Sequence, residues 1–368
     1  MAMKTRTVLV VGLILLLLPG VVAAEEERMD GGYFTLVDEG GQVLTKTARY
    51  LDIGDTYIGA DNREYQVVAI DGDTVKMDFV GEVEMPPLTV ASSPSLMARL
   101  LAQDKKDAGT VGVYCTHSAE SYVPDSGIES KDTGDIFKVA GHFSQALENQ
   151  GLDVIFSDNN HNPHDGGAYN RSRRTVRELL EAGAVAMFDV HRDATPPEVY
   201  QTEVNGEPMT KIRLVVGRQN ANREANLEYA KRLKAKADEE FPGLIEGIFN
   251  ARGSYNQDVG PRMMLLEFGT HLTSVEEAQK SADLFARIVP AAAGLTTASR
   301  GGAAKQIGGA AWRSLLWVIG IVFLGVIAFL ALNAGSWEEV GGRLRSFFSK
   351  EMANTMGPVE GEDDEGED

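Results

Sequence analysis

The sequence predicts an α/β fold: a largely parallel sheet flanked by helices, preceded by a small all-β module and followed by a single transmembrane helix. Three observations carry this. Between residues 108 and 295, short apolar runs alternate with amphipathic helical stretches, the pattern of a sheet with helices on both faces. Ahead of them, residues 31–81 hold β-rich runs punctuated by Asp71-Gly72 and Glu39-Gly40-Gly41, the turn chemistry of hairpins. Beyond them, residues 315–332 are apolar throughout, long enough to span a bilayer.

The elements follow in order. Residues 1–24 place Lys4 and Arg6 before an apolar stretch and end it with Pro19-Gly20 and small residues, the layout of a signal peptide or an N-terminal anchor. The β module occupies 31–81. Residues 82–107, with Pro86-Pro87 and Pro94, read as a linker containing one short helix at 95–103. In the α/β region, 111–114, 154–158, 184–190, 211–217 and 263–269 read as strands. Helices are expected at 135–150, 172–182, 221–240 and 274–288. The first has apolar residues at Ile136, Val139, Ala140, Phe143 and Leu147, a helical period closed by Gly151. The membrane span is set at 312–334, with Trp312, Trp317 and Trp337 as interfacial aromatics. The last eighteen residues, 351–368, hold eight acids and no base and read as a disordered acidic tail.

The formal net charge of -19 argues against a nucleic-acid partner, whose phosphates would be repelled. The single cysteine, Cys115, excludes an intrachain disulfide. Two residues before His117, it would share that residue's face if the strand continued, but an apolar strand normally buries a Cys as a small hydrophobe.

Strand ends carry the chemistry. His117 and Glu120 form an HxxE pair just after 111–114, His191 follows 184–190, and Glu267 follows the apolar residues 263–266. Two His and a carboxylate are a three-ligand set for zinc, leaving one coordination position for water. A further buried carboxylate can take that water's proton. Each residue sits where open α/β sheets place their ligand crevice. His117, Glu120 and His191 are therefore the candidate Zn2+ ligands, and Glu267 is the candidate base. An unpaired carboxylate inside an apolar strand costs several kcal/mol to bury, so Glu267 requires a compensating partner. Arg171, Arg173, Arg192 and His271 are candidate substrate contacts, since arginine forks match carboxylates. A structural salt bridge is the equal alternative for Arg171 and Arg173. Asp189 is placed to orient His191. His161 and His164 are weaker candidates, and His142 lies off the apolar stripe of its helix.

The segments THSAESYVP (116–124), HNPHDGGAYNRSRRTV (161–176), FDVHRDA (188–194), RLVVGRQNAN (213–222), FPGLIEGIF (241–249), SYNQD (254–258) and LLEFGTH (265–271) closely resemble the stage II sporulation protein P family. That resemblance implies a phosphorylase/hydrolase-like α/β fold and a zinc-dependent N-acetylmuramoyl-L-alanine amidase acting on peptidoglycan during engulfment, with added endopeptidase activity as an extension. It implies a membrane location with the catalytic domain on the extracytoplasmic side, and a sporulation lytic transglycosylase and a membrane scaffold as partners. Relatives often carry His-Thr-His where this chain has Cys115-Thr116-His117, so that first His is not a required ligand; the resemblance to amidases, many of which draw the third ligand from a later glutamate, makes Glu129 the competitor of Glu120. A C-terminal span is a second departure, since familiar members are held mainly by an N-terminal one. A metallocarboxypeptidase acting on wall peptides shares the HxxE-His-Glu pattern and is the rival enzyme. A non-catalytic wall-binding scaffold is the rival outside enzymes.

Overall fold

A computed structural model describes residues 27–28, 30–87 and 109–295. The signal or anchor at 1–24, the helix at 95–103, the span at 312–334 and the tail at 351–368 lie outside the described residues. Among the described residues, no helix is long and apolar enough to cross a membrane.

The α/β region contributes β6 (Thr110–Tyr114), β7 (Val154–Phe156), β8 (Ala184–Asp193), a hairpin β9 (Gln201–Val204) and β10 (Glu207–Thr210), β11 (Ile212–Gly217), β12 (Ile245–Ala251) and β13 (Met263–Thr270). Its helices are α1 (Val123–Ser126), α2 (Ile136–Asn149), α3 (Ala168–Glu181), α4 (Arg223–Glu240) and α5 (Val275–Ala293). β8 is buried along nearly its whole length, as expected of a strand covered on both faces. Helices α2, α4 and α5 cover one face with a core that includes Val139, Phe143, Leu233, Phe285, Leu266 and Phe268. On the other face α3 packs Val176 and Leu179 against Tyr114 and Met187.

The sheet departs from the sequence reading in two respects. Along β12-β11-β13-β8-β6-β7 the neighbours are parallel except β11 with β13, which are antiparallel. β8 and β11 are joined by the hairpin β9–β10 instead of a crossover helix, and parallel strands need such a crossover. Second, the β module is not set apart. Its strands β1 (Phe34–Val37), β2 (Val43–Thr47), β3 (Thr56–Gly59), β4 (Arg63–Asp71) and β5 (Thr74–Glu82) continue the same sheet. The junction is β3 against β12, antiparallel from Gly59↔Gly247 to Thr56↔Asn250, giving eleven strands in one sheet.

A buried polar stitch fixes that junction. Arg213 on β11 donates to Glu246 (2.6 Å), Asp193 (2.5 Å) and Thr45 (2.8 Å), while Tyr57 donates to Glu246 at 3.0 Å. Above it, Phe34, Leu36, Tyr57, Val67 and Met77 share a core with Val215, Phe249 and Leu265. The module therefore roofs the face of the sheet that α3 leaves open.

Period-2 alternation sorts the remaining side chains. Val190, Leu266 and Phe268 point into the helix-covered core. Their neighbours Asp189, His191, Asp193, Glu267 and Arg213 are buried on the opposite face, beneath the module. The register of β13 slips between Glu267 and Thr270 against β8, and Gly269 takes φ +75° there. A Cβ at Gly269 would lie 2.5 Å from the hydroxyls of both Thr210 and Thr273. Gly269→Ala is expected to cost about 1–3 kcal/mol through the left-handed backbone and the crowding. A denaturant melt of the full chain checks this; an unchanged midpoint would mean the bulge relaxes freely.

Candidate metal centre

After Tyr114 the chain leaves strand geometry and turns. Cys115 and His117 consequently do not share a face. Cys115 is buried in the helix-side core, where burial pushes its thiol well up and makes it inert. His117 emerges on the other side. The turn is braced by Glu120 N–H donating to His117 O at 3.2 Å, and by Ser121 N–H donating to Glu129 O at 2.9 Å.

The structure brings His117, Glu120 and His191 together, and adds Glu27 from ahead of β1. One ligand atom from each of these four buried residues lies within 4.8 Å of the others. His117 Nδ1 is 3.2 Å from Glu120 Oε1 and 3.7 Å from Glu27 Oε2. His191 Nδ1 is 3.5 Å from Glu120 Oε1, and its Nε2 is 3.0 Å from Asp189 Oδ1. Glu120 Oε2 accepts the Arg192 backbone N–H at 2.9 Å. Asp189 is itself anchored by Thr116, through its N–H (2.8 Å) and hydroxyl (2.7 Å).

These residues fit a metal ion. Neither ring nitrogen of His191 makes an aligned hydrogen bond among the described residues, although the ring is fully buried. Buried polar atoms are rarely left so, and two imidazoles with carboxylates are a zinc donor set. The electrostatics agree. Burial works to raise the Glu120 carboxyl, but His191 and His117 hold it well below its usual range. Burial works to lower the His191 ring, but Asp189 and Glu120 hold it well above. The centre is built to stabilise positive charge.

Glu267 stands beside this cluster. Its partner is Arg49, whose guanidinium bonds Glu267 and, at 2.8 Å, Glu27. Burial pushes the Glu267 carboxyl up to about 7, with Arg49 opposing. A carboxylate poised near neutrality suits a general base.

The other sequence candidates fall around the centre. Arg192 braces the turn, donating to Ser121 O at 3.4 Å and Glu129 O at 2.8 Å. Glu129 points away from the cluster with its side chain 59% exposed, 4.0 Å from His271 Nε2. His271 is held through its backbone N–H to Asp193 O at 3.0 Å, and burial lowers its ring. Arg171 ties its own loop, to His161 O (2.6 Å) and Asp165 (2.5 Å). Arg173 grips Asp258 bidentately at 2.5 and 2.6 Å. The forks of Arg171 and Arg173 are thus occupied by protein carboxylates, which is the structural alternative. His161 uses both ring nitrogens, toward Cys115 O and Thr175 Oγ1 at 2.8 Å each. His142 pairs with exposed Asp283 at 2.9 Å.

Sequence reasoning missed Glu27 and Arg49 and underrated His164, whose ring lies 4.0 Å from that of His117 with Nε2 3.9 Å from Glu27. One signal was present for Arg49: it interrupts a β-rich run, and an arginine buried there, as the structure leaves it at 2% exposed, needs an acidic partner.

The model of the stage II sporulation protein P family matches residues 61–290. Stage II sporulation protein P of Bacillus subtilis (strain 168) is 29% identical over 206 residues, 50% of this chain and 51% of that protein. The chain therefore matches about half the length of this curated relative. Among solved structures, the CwlD amidase from Clostridioides difficile in complex with the GerS lipoprotein is similar at 13% identity and TM-score 0.37, covering 50% of this chain and 98% of that one. The N-acetylmuramoyl-L-alanine amidase AmiC2 of Nostoc punctiforme is similar at 14% identity and TM-score 0.34, covering 50% and 95%. With a family match over more than half of its length, the chain belongs to the stage II sporulation protein P family.

Proposed function

We propose that this chain is a zinc-dependent peptidoglycan hydrolase that cleaves the amide between N-acetylmuramic acid and L-alanine during engulfment, with endopeptidase activity as an extension of the same chemistry. Membership of the family supports the wall and sporulation setting. The observation that carries the chemistry is the buried His117/Glu120/His191 cluster with the Glu267 carboxylate beside it.

When bound at this cluster, zinc supplies a Lewis acid and a water acidified toward a pKa of ~7. His117, Glu120 and His191 are the residues to hold it. Glu267 takes the proton as the water oxygen adds to the lactyl carbonyl carbon, then delivers it to the departing L-alanine nitrogen as the C–N bond breaks. Arg49 holds Glu267 in place and, with its second fork arm, offers positive charge to the oxygen that becomes anionic. Asp189, fixed by Thr116, sets the His191 ring. Asp189→Asn is accordingly expected to weaken zinc affinity about 10–100-fold, the usual scale for a residue behind a ligand. Competition with a chelator measures it, and unchanged affinity would remove Asp189 from the site.

On this reading the catalytic residues act on the extracytoplasmic side of the cell membrane, alongside a lytic transglycosylase and a membrane scaffold. A carboxypeptidase would hold the substrate's terminal carboxylate on an arginine fork, and of the arginines the sequence offers for that role Arg171 and Arg173 are already paired. A purely non-catalytic scaffold leaves the buried donor cluster without a use. Digestion of purified sacculi by the full chain, with mass spectrometry of the products, is the test. Stem peptides released with a free L-alanine amine support the amidase; loss of a terminal residue alone favours the carboxypeptidase, and intact sacculi the scaffold.

A further inference from the structure

The metal cluster contains one residue that the proposed chemistry leaves unused. Glu27 is two-sided: its Oε1 accepts from Arg49 at 2.8 Å, and its Oε2 faces His117 Nδ1 at 3.7 Å. Its side chain is only 10% exposed, and its ligand atom stands with those of His117, Glu120 and His191 in one set.

We propose that Glu27 is a fourth protein ligand of this centre, and that while seated it closes the coordination position an attacking water requires. The proposal rests on the metal-hydrolase reading above and deepens it. Catalytic zinc sites keep three protein ligands and an open position, whereas sites with four protein ligands are closed and structural. With Glu27 seated, this chain presents the closed set. Its withdrawal leaves the open one.

The four residues are not mounted alike. His191 lies in β8, buried along the sheet, and His117 and Glu120 lie in a turn stitched to Glu129, Lys131, Gly134 and Ile136 by backbone bonds. Among the described residues, Glu27 is held by an isolated bridge to Arg49 and by its ion pair with the same residue, and Arg28 N–H donates to Ala48 O at 2.9 Å. The Arg28 side chain grips Asp30 with two nitrogens, pairs with Asp73 and lies 5.0 Å from the Phe34 ring centroid, side-chain contacts at the edge of the module. Among the described residues, no strand pairing of the sheet runs through Glu27 or Arg28, so the segment can leave without unpairing a strand. Its departure also leaves Glu267 as the sole carboxylate on Arg49 Nη2, which serves both while Glu27 is seated. Seating and withdrawal of Glu27 thus act on the metal and on the base's partner together. The latch is carried by the chain itself, on the segment directly preceding the β module.

The test uses the full chain and the variants Glu27→Gln and Glu27→Ala, with folding checked by near-ultraviolet circular dichroism. Three quantities are read: zinc affinity by chelator competition, the visible spectrum of the cobalt(II)-substituted protein titrated with azide, and sacculus hydrolysis at saturating zinc. Loss of a ligand should weaken zinc binding at least ~10-fold, no less than the loss of a residue behind a ligand. Azide should shift the cobalt spectrum of both variants at concentrations that leave the wild type unchanged, and hydrolysis should rise. Unchanged affinity in both variants would overturn ligation by Glu27. A fall in hydrolysis of about 10²-fold with zinc retained would overturn the latch and make Glu27 a proton acceptor instead. If the wild type itself holds no zinc, it is the hydrolase reading that fails; if the wild type holds zinc and the variants match it in all three readouts, only the assignment of Glu27 fails.

Discussion

Alanine at His191 is expected to abolish zinc binding and hydrolysis together. The ring is fully buried between two carboxylates, Asp189 Oδ1 at 3.0 Å and Glu120 Oε1 at 3.5 Å, and both of its nitrogens lack an aligned hydrogen bond among the described residues. Removing it takes away a ligand and leaves Asp189 and Glu120 facing an emptied space. Metal polarisation of the carbonyl contributes several kcal/mol to the barrier, so hydrolysis should fall by at least ~10³-fold at about 1.4 kcal/mol per decade. Breaking a buried charge pair can also cost ~3–5 kcal/mol of stability, which makes folding a concern. His117→Ala is the companion measurement, because His117 lies in the turn and not in the central strand. It should lose zinc while retaining the wild-type circular dichroism. Stoichiometric zinc in folded protein of either variant would sink the ligand assignment.

The parts of this centre that the sequence made legible share a physical signature. His191 and Glu267 are charged or titratable residues inside strands that are otherwise apolar, and such residues must have partners when buried. Period 2 then puts Asp189, His191 and Asp193 on one face without any structure in hand. HxxE adds Glu120 locally. What stayed hidden depends on pairing between distant segments. Glu27 and Arg49 precede the α/β region, and nothing local says that β3 will join β12 and fold its module over the site. β12 itself was missed for a related reason. Its sequence IEGIFNA carries Glu246, Gly247 and Asn250, which blur the apolar pattern of a central strand. Glu246 is tolerable there only because Arg213, Thr45 and Tyr57 meet it, two of them from the module. Arg171 and Arg173 show the converse. Their chemistry suits a substrate carboxylate, but Asp165 and Asp258 already supply one. The chain's return from β8 through a hairpin, which reverses β11, was likewise not written in the apolar run of β11 itself.

Glutamine at Glu267 is expected to separate base from ligand. The amide keeps the shape of the side chain, and its carbonyl oxygen can still accept from Arg49, so the pocket should stay intact. What is lost is basicity, at a carboxyl that burial has pushed up to about 7. Zinc should therefore remain bound while hydrolysis falls by at least ~10²-fold, the usual scale of general-base catalysis. Glu120→Gln should behave in the opposite order. Glu120 uses both oxygens: Oε1 lies toward His117 and His191, and Oε2 accepts the Arg192 N–H at 2.9 Å. An amide there must turn its NH2 either against that N–H or toward the cation, and each orientation opposes metal binding. Zinc affinity should fall first, with hydrolysis following as the metal is lost. Metal content and muropeptide release measured on both variants decide between the roles. Zinc lost from Glu267→Gln but kept by Glu120→Gln would exchange the two assignments, leaving Glu267 as the carboxylate ligand and Glu120 as the acceptor.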